Sequence, residues 1–219
     1  MDALSLRFIK DQFPSFFGAA ELTAWLALLS MACAMVWGLV LVAPRMSRSR
    51  WLRGPAVAYI ELMRNTPLLI QIYVIYFGFP LIGLVYSSFT CGVIAIAAQH
   101  GAFLAEIYRA GIESISLRQR EAAKALGMTK VNALRLVILP QAFAKVIPML
   151  GNQLIILLKD TSLLASIGVL EMTLTAKMVI ERTGASFQVF VIVALVYLAM
   201  TSVLGFLLRW LEARQQRLI

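Results

Sequence analysis

The chain has 219 residues, 61 % of them hydrophobic and only 14 % charged, with a mean hydropathy of +0.84. These values exclude an ordinary water-soluble domain and make the bilayer the solvent of the fold. The formal charge of +9 does not point to nucleic acid, because the basic residues sit in short segments between apolar runs, where membrane topology accounts for them.

Residues 1–20 mix Arg7, Lys10 and Asp11 with Phe8, Phe13, Phe16 and Phe17. That pattern suits either a short helix lying at the membrane surface or a plain leader. Residues 22–43 carry no charge, enough for a first span over about 21–43, since a spanning helix needs ~20 apolar residues. The run ends at Pro44 and in Arg45, Arg48, Arg50 and Arg53 rather than in a small-residue cleavage site, so it is expected to be retained and not cut as a signal peptide. Cys33 and Cys91 lie inside apolar runs and are expected to pack rather than pair.

Residues 65–105 are again uncharged, too long a run for one helix. A turn at Tyr86, Ser87 and Ser88 divides it into a second span at about 56–86 and a third at about 90–112. Thr66 and Pro67 start or kink the bilayer part of the second. A fourth apolar segment at about 146–170 is interrupted only by Lys159 and Asp160, and a fifth span covers about 187–208. Between the third and fourth lies a polar loop at about 113–145. The segments after the first span, around that loop and after the fifth span hold four, seven and three basic residues, 14 of the 20 in the chain. Five spans with this bias place the N-terminus outside and the C-terminus in the cytoplasm. With no internal repeat, low-complexity tract or Gly-Lys-Ser/Thr phosphate loop, residues 1–219 read as one transmembrane domain that does not bind ATP through such a loop.

Inside the polar loop, Glu121-Ala-Ala-Lys-Ala-Leu-Gly127 is followed nine residues later by Val137-Ile-Leu-Pro140. A short helix with an alanine face and a glycine stop either covers the membrane surface or receives a partner protein. This pattern resembles the signature loop of permease subunits of bacterial ATP-binding-cassette importers, with Val137 where that loop usually has isoleucine. Glu61-Leu-Met-Arg-Asn-Thr-Pro-Leu-Leu-Ile-Gln71, Ala105-Glu-Ile-Tyr-Arg-Ala-Gly-Ile112 and Gly151-Asn-Gln-Leu-Ile-Ile-Leu-Leu-Lys-Asp-Thr-Ser-Leu163 resemble its polar amino-acid branch. The likeness spans roughly residues 20–210.

The resemblance implies an all-α membrane protein of the type I importer permease fold in the bacterial cytoplasmic (inner) membrane. Two permeases, identical or related, form the path, an ATPase dimer sits beneath them, and an external or periplasmic binding protein delivers a polar amino acid. ATP and Mg are expected on the ATPase, with no cofactor and no enzyme activity on this chain. The segment Arg120, Glu121, Ala122, Ala123, Ala125, Leu126, Gly127, Met128 and Thr129 then becomes the coupling helix that docks in the ATPase and drives alternating access.

Ionisable groups within spans are functional candidates because they are costly there. Asp160 and Glu106, with Gln99 and His100, are the expected substrate-binding set, and Asn152, Thr161 and Ser162 are neighbouring donors. Glu106 either faces substrate or forms a structural lock with Arg109 or Arg64. Arg64–Leu69 is a second choice, as an interrupted helix whose amides would favour an anion. His100 is the chain's only histidine, so no metal site is expected. The competing readings are a secondary transporter, which usually carries an inverted repeat, and a membrane receptor or scaffold with a docking helix, which leaves Asp160 and Glu106 without a role.

Overall fold

The computed structural model describes the backbone of residues 6–216 and the side chains of residues 14–214. The expected surface roles of Arg7, Phe8, Lys10, Asp11 and Phe13, and the Arg217 counted in the last basic segment, lie outside the described side chains. All regular structure among the described residues is helical. Four helices are long and apolar enough to cross a membrane, or five spans in all if a bent pair counts as one.

Helix α1 runs without a break over Leu6–Arg45, so residues 14–20 are not a separate helix on the membrane surface. Packing is the reason. Phe16 and Ala19, expected at the surface, are buried against Met172, Ala176, Val179, Val189 and Val193, and that contact draws the first span onward beyond residue 21.

The second expected span is a broken one. Helix α2 (Arg50–Asn65) meets α3 (Leu68–Gly78), which continues as a 3₁₀ turn over Phe79–Ile82, at a bend of 109°. Pro67 has no N–H to continue α2 and pushes the preceding residue out of the helical region; Thr66 is accordingly extended, with φ −112° and ψ 142°. Leu68–Ile82 rises only about 24 Å, less than a ~30 Å hydrocarbon core. Helix α4 (Ser88–Glu113) follows, with the Ser87 hydroxyl accepting from Thr90 N at its start.

The polar loop is shorter than the apolar count gave. It contains α5 (Leu117–Ala125), and α6 (Lys130–Ala133) then runs through a π turn at Leu134–Ile138 into α7 (Leu139–Asp160). Pro140 cannot bond the carbonyl a turn behind it, and the wider turn, with Leu139 N bonded to Leu134 O, absorbs that defect. The fourth span therefore begins near residue 130 rather than 146. It ends in a 3₁₀ segment, Thr161–Ile167, before α8 (Met172–Thr183) and α9 (Ser186–Gln216).

Helix α4 lies at the centre, with Ala95, Ile96, Ala102, Leu104 and Ala105 fully buried. It meets its neighbours through small residues, the usual means of close packing where lipid supplies no hydrophobic drive between helices. A Cβ on Gly101 would lie 2.6 Å from Trp37 of α1, and one on Gly111 would lie 2.2 Å from Val146 Cγ2 of α7. Gly111→Ala is therefore expected to destabilise the chain by about 1–3 kcal/mol, and Val146→Ala in the same chain should recover part of that loss. Thermal midpoints of the detergent-solubilised variants check this.

Candidate functional site

The break between α2 and α3 frees backbone carbonyls inside an apolar environment. Two buried amides take them up. Gln99 Nε2 donates to Met63 O at 3.1 Å and to Thr66 O at 2.9 Å. Gln71 Nε2 serves the same carbonyls at 2.9 and 3.2 Å and bonds Thr66 Oγ1 at 2.7 Å. Gln99 thus braces the elbow. Tyr59 adds a third tie, accepting from Trp37 Nε1 at 2.8 Å and donating to Ala98 O at 3.1 Å.

One residue further along α4 the polar chemistry changes. The His100 ring is buried, with Nε2 3.1 Å from Asp160 Oδ2 and Nδ1 2.8 Å from Gln153 Nε2. With the Gln153 amide donating to Nδ1, the proton sits on Nε2 and is donated to the carboxylate. Asp160 keeps 33 % of its side chain exposed, and His100 orients its Oδ2. It occupies the last turn of α7, where a 3₁₀ segment follows. Lys159 is exposed beside it and Asn152 is exposed, whereas Gln153 points inward. Gln153 is not among the residues that the sequence singles out, yet it stands seven residues before Asp160, two turns earlier on the same face.

Glu106 belongs elsewhere. It accepts from Arg45 Nε at 2.7 Å and from Arg109 Nε and Nη2 at 3.0 and 2.7 Å, and Arg109 also pairs with Glu113. Arg64 is not its partner; that guanidinium lies over the Phe103 ring at 5.3 Å. Six residues separate His100 from Glu106, about 9 Å along the axis and about 240° around it. Asp160 and Glu106 do not face one cavity. Glu106 joins the end of α1 to α4 as a two-arginine lock, and Arg45 is the partner that spacing along α4 does not reveal.

The polar helix α5 is closed by Gly127 at φ +73°, with Gly127 N bonded to Lys124 O and Met128 N to Ala123 O, the paired bonds of a glycine-terminated helix end. Thr129 accepts from Asn132 N and opens the next helix. Glu121, Ala122, Ala125, Leu126 and Gly127 are exposed, Met128 is half-buried, and Leu126 and Leu117 show 81 % and 67 % of their surface. Ala123 is buried and is not part of an open alanine face. The Arg120 guanidinium turns back to Ile112 O at 2.7 Å, bracing α5 against α4, and Lys145 Nζ of α7 reaches Ser114 O at the end of α4 at 3.1 Å.

An all-helical membrane chain with a half-buried acid within a span and a polar helix braced beside its core has the parts of a permease, a transport component rather than an enzyme, and the relatives of this chain are such permeases. The chain belongs to the family of binding-protein-dependent transport system inner membrane components, whose family model matches residues 22–217. It is similar to the glutamine transport system permease protein GlnP of Escherichia coli K12, at 38 % identity over 93 % of this chain and 94 % of that protein. It is also similar to the probable glutamine ABC transporter permease protein GlnM of Bacillus subtilis 168, at 35 % identity over 98 % and 99 %. A crystal structure of an amino acid ABC transporter with histidines superposes with a TM-score of 0.92 at 35 % identity, covering 96 % of this chain and 99 % of that one. The protein is thus a multi-pass inner-membrane permease of an ATP-driven importer, which works with separate ATPase and substrate-binding subunits.

The elbow yields a measurable expectation. Gln99→Leu should cost about 1–2 kcal/mol, because Gln71 still serves both carbonyls. Gln99→Leu with Gln71→Leu should cost more than the sum of the single changes, since only the pair orphans them. Thermal unfolding of the four variants of that cycle reads the non-additivity.

Proposed function

We propose that this chain is one permease half of an importer for a polar amino acid, with Asp160, oriented by His100 and Gln153, receiving the substrate's cationic group in the transmembrane path. The carrying observation is a carboxylate one-third exposed within a span, with one oxygen bonded to a buried imidazole. An ion so placed is costly unless paired or hydrated. A substrate ammonium supplies the missing charge, and Thr161 and Ser162 stand next in sequence. The printed names of the glutamine permeases support an amino acid as cargo. Glu106, already saturated by two guanidiniums, is assigned to holding α1 and α4 together.

The exposed face of α5, with Leu117 and Leu126 at its two ends, is the docking surface for an ATPase subunit. ATP and Mg²⁺ belong to that subunit, which works as a dimer. Closure of the dimer moves α5 and biases two states of the permease pair, inward-facing and outward-facing. The second permease is a copy of this chain or a relative, and an external binding protein delivers the substrate. The arginine bias of the segments flanking α1 and α9 supports an outside N-terminus and a cytoplasmic C-terminus.

Two experiments test this reading. In proteoliposomes with the ATPase and binding protein, Asp160→Asn is expected to lower uptake at least tenfold while the complex still assembles; uptake near wild type removes Asp160 from the path. Leu126→Asp should abolish co-purification of the ATPase without lowering the thermal midpoint of the permease, and an undiminished pull-down would refute the docking surface.

A further inference from the structure

Beyond the end of α7 the chain carries a second buried acid that the substrate site does not use. Glu171 is fully buried. Its Oε1 accepts from Leu174 N at 2.9 Å, capping α8, and its Oε2 accepts the Tyr197 hydroxyl of α9 at 3.0 Å. Thr23 of α1, also fully buried, accepts from Met172 N at 3.2 Å and donates to Ala19 O at 2.8 Å. Tyr197 also packs against the core cluster to which Leu157, Leu158 and Leu164, on either side of Asp160, belong. Thr161 directly follows Asp160, is fully buried, and donates to Leu158 O at 2.7 Å.

The start of α8 is therefore tied to the middle of α9 through the Glu171 carboxyl and to the middle of α1 through Thr23. Capping a helix does not require this residue, because a serine or aspartate at that position would satisfy the same amide without burying a longer acid. The length of glutamate is what reaches Tyr197, and Tyr197 is what packs against the cluster around the end of α7.

We propose that Glu171 is a positioning residue for the Asp160 site: through Tyr197 and the start of α8, which packs against the 3₁₀ segment after α7, its carboxyl holds that turn in the conformation that presents Asp160 to His100. This rests on the assignment of Asp160 as the substrate carboxylate. The groups facing Glu171 are Tyr197 from α9, Thr173 and Leu174 N from α8, and neighbouring Thr23 from α1. Among the described residues no cation pairs with it. Burial pushes its carboxyl above the usual carboxylate range, against the opposing pull of those hydrogen bonds. For a folded-state value raised above the unfolded one, the stabilisation is complete below the ordinary carboxylate range and is lost as pH rises through the raised value. The junction loosens with rising pH, and presentation of Asp160 loosens with it.

The test uses the complete complex in proteoliposomes, with whichever of radiolabelled glutamine, histidine or arginine the wild type imports. Wild-type half-saturation concentration is expected to rise as pH climbs above the ordinary carboxylate range. Glu171→Gln, the neutral isostere, should stay within about twofold of the wild-type value at pH 5 and show no such rise. Tyr197→Phe and Glu171→Ala should raise it at least fivefold at pH 5 with the maximal ATPase rate unchanged, and should speed hydrogen exchange of amides 161–171. Wild-type half-saturation in Tyr197→Phe together with unchanged exchange in that segment would overturn the inference, even where Asp160→Asn has abolished uptake. Wild-type uptake in Asp160→Asn fails the site reading instead, and the exchange of amides 161–171 still judges the Glu171 junction. If Glu171→Ala does not assemble, Tyr197→Phe and the pH profile of Glu171→Gln decide.

Discussion

Hydrocarbon offers no hydrogen bonds, so every peptide group within the bilayer must find its partner inside the protein. This chain interrupts its helices where that rule is most severe, at Thr66–Pro67, before Pro140 and after Asp160, and each interruption has its own local remedy. Two glutamine amides close the first, a π turn absorbs the second, and a 3₁₀ segment backed by Thr161 follows the third. The remedies bring polar side chains into the membrane core, and the polar groups so gathered supply the functional geometry. Gln99 and His100 are neighbours in sequence; one holds the backbone open at an elbow and the other orients an acid.

The fold was largely legible because bilayer length is a strict filter. Uncharged runs at 22–43 and 183–208 match the thickness of hydrocarbon, and the run at 65–105 is long enough for two passes. What periodicity missed were the ends. Phe16 looks like an interfacial residue until α8 and α9 are seen to cover it, and Lys145 looks like the last residue of a loop until its ammonium is seen bonding Ser114 O from within a helix. Both errors share a cause, since a charge or an aromatic marks a boundary only when no partner from elsewhere in the chain is waiting for it.

The site was legible in part. His100 and Asp160 stood out as polar groups in apolar runs, and the structure brings them together. Asn152 drew attention ahead of the adjacent Gln153, although the two-turn spacing from Gln153 to Asp160 was available. Glu106 could not be separated from the site by sequence, because spacing along α4 left arginines and a cavity as rival partners; only the arrival of Arg45 from 61 residues away decides it. Glu171 was unremarkable in sequence because a glutamate in a polar segment is ordinarily solvated, and its burial is a property of three other elements. The polar helix α5 was the most readable feature, yet Arg120 and Ala123 turn inward, so its outer face is built more from leucine than from a full alanine stripe.

Helix α1 is held at both extremes, by the Arg45–Glu106 pair near one membrane face and by the seat of Phe16 among α8 and α9 toward the other. Those anchors are 29 residues apart, about 44 Å of unbroken helix, while its uncharged run of 22–43 is about 33 Å long and fills the hydrocarbon without mismatch. A rod pinned in this way cannot slide or shorten as the subunit changes state. It is a tie-bar, so that a displacement at one membrane surface strains the contact at the other.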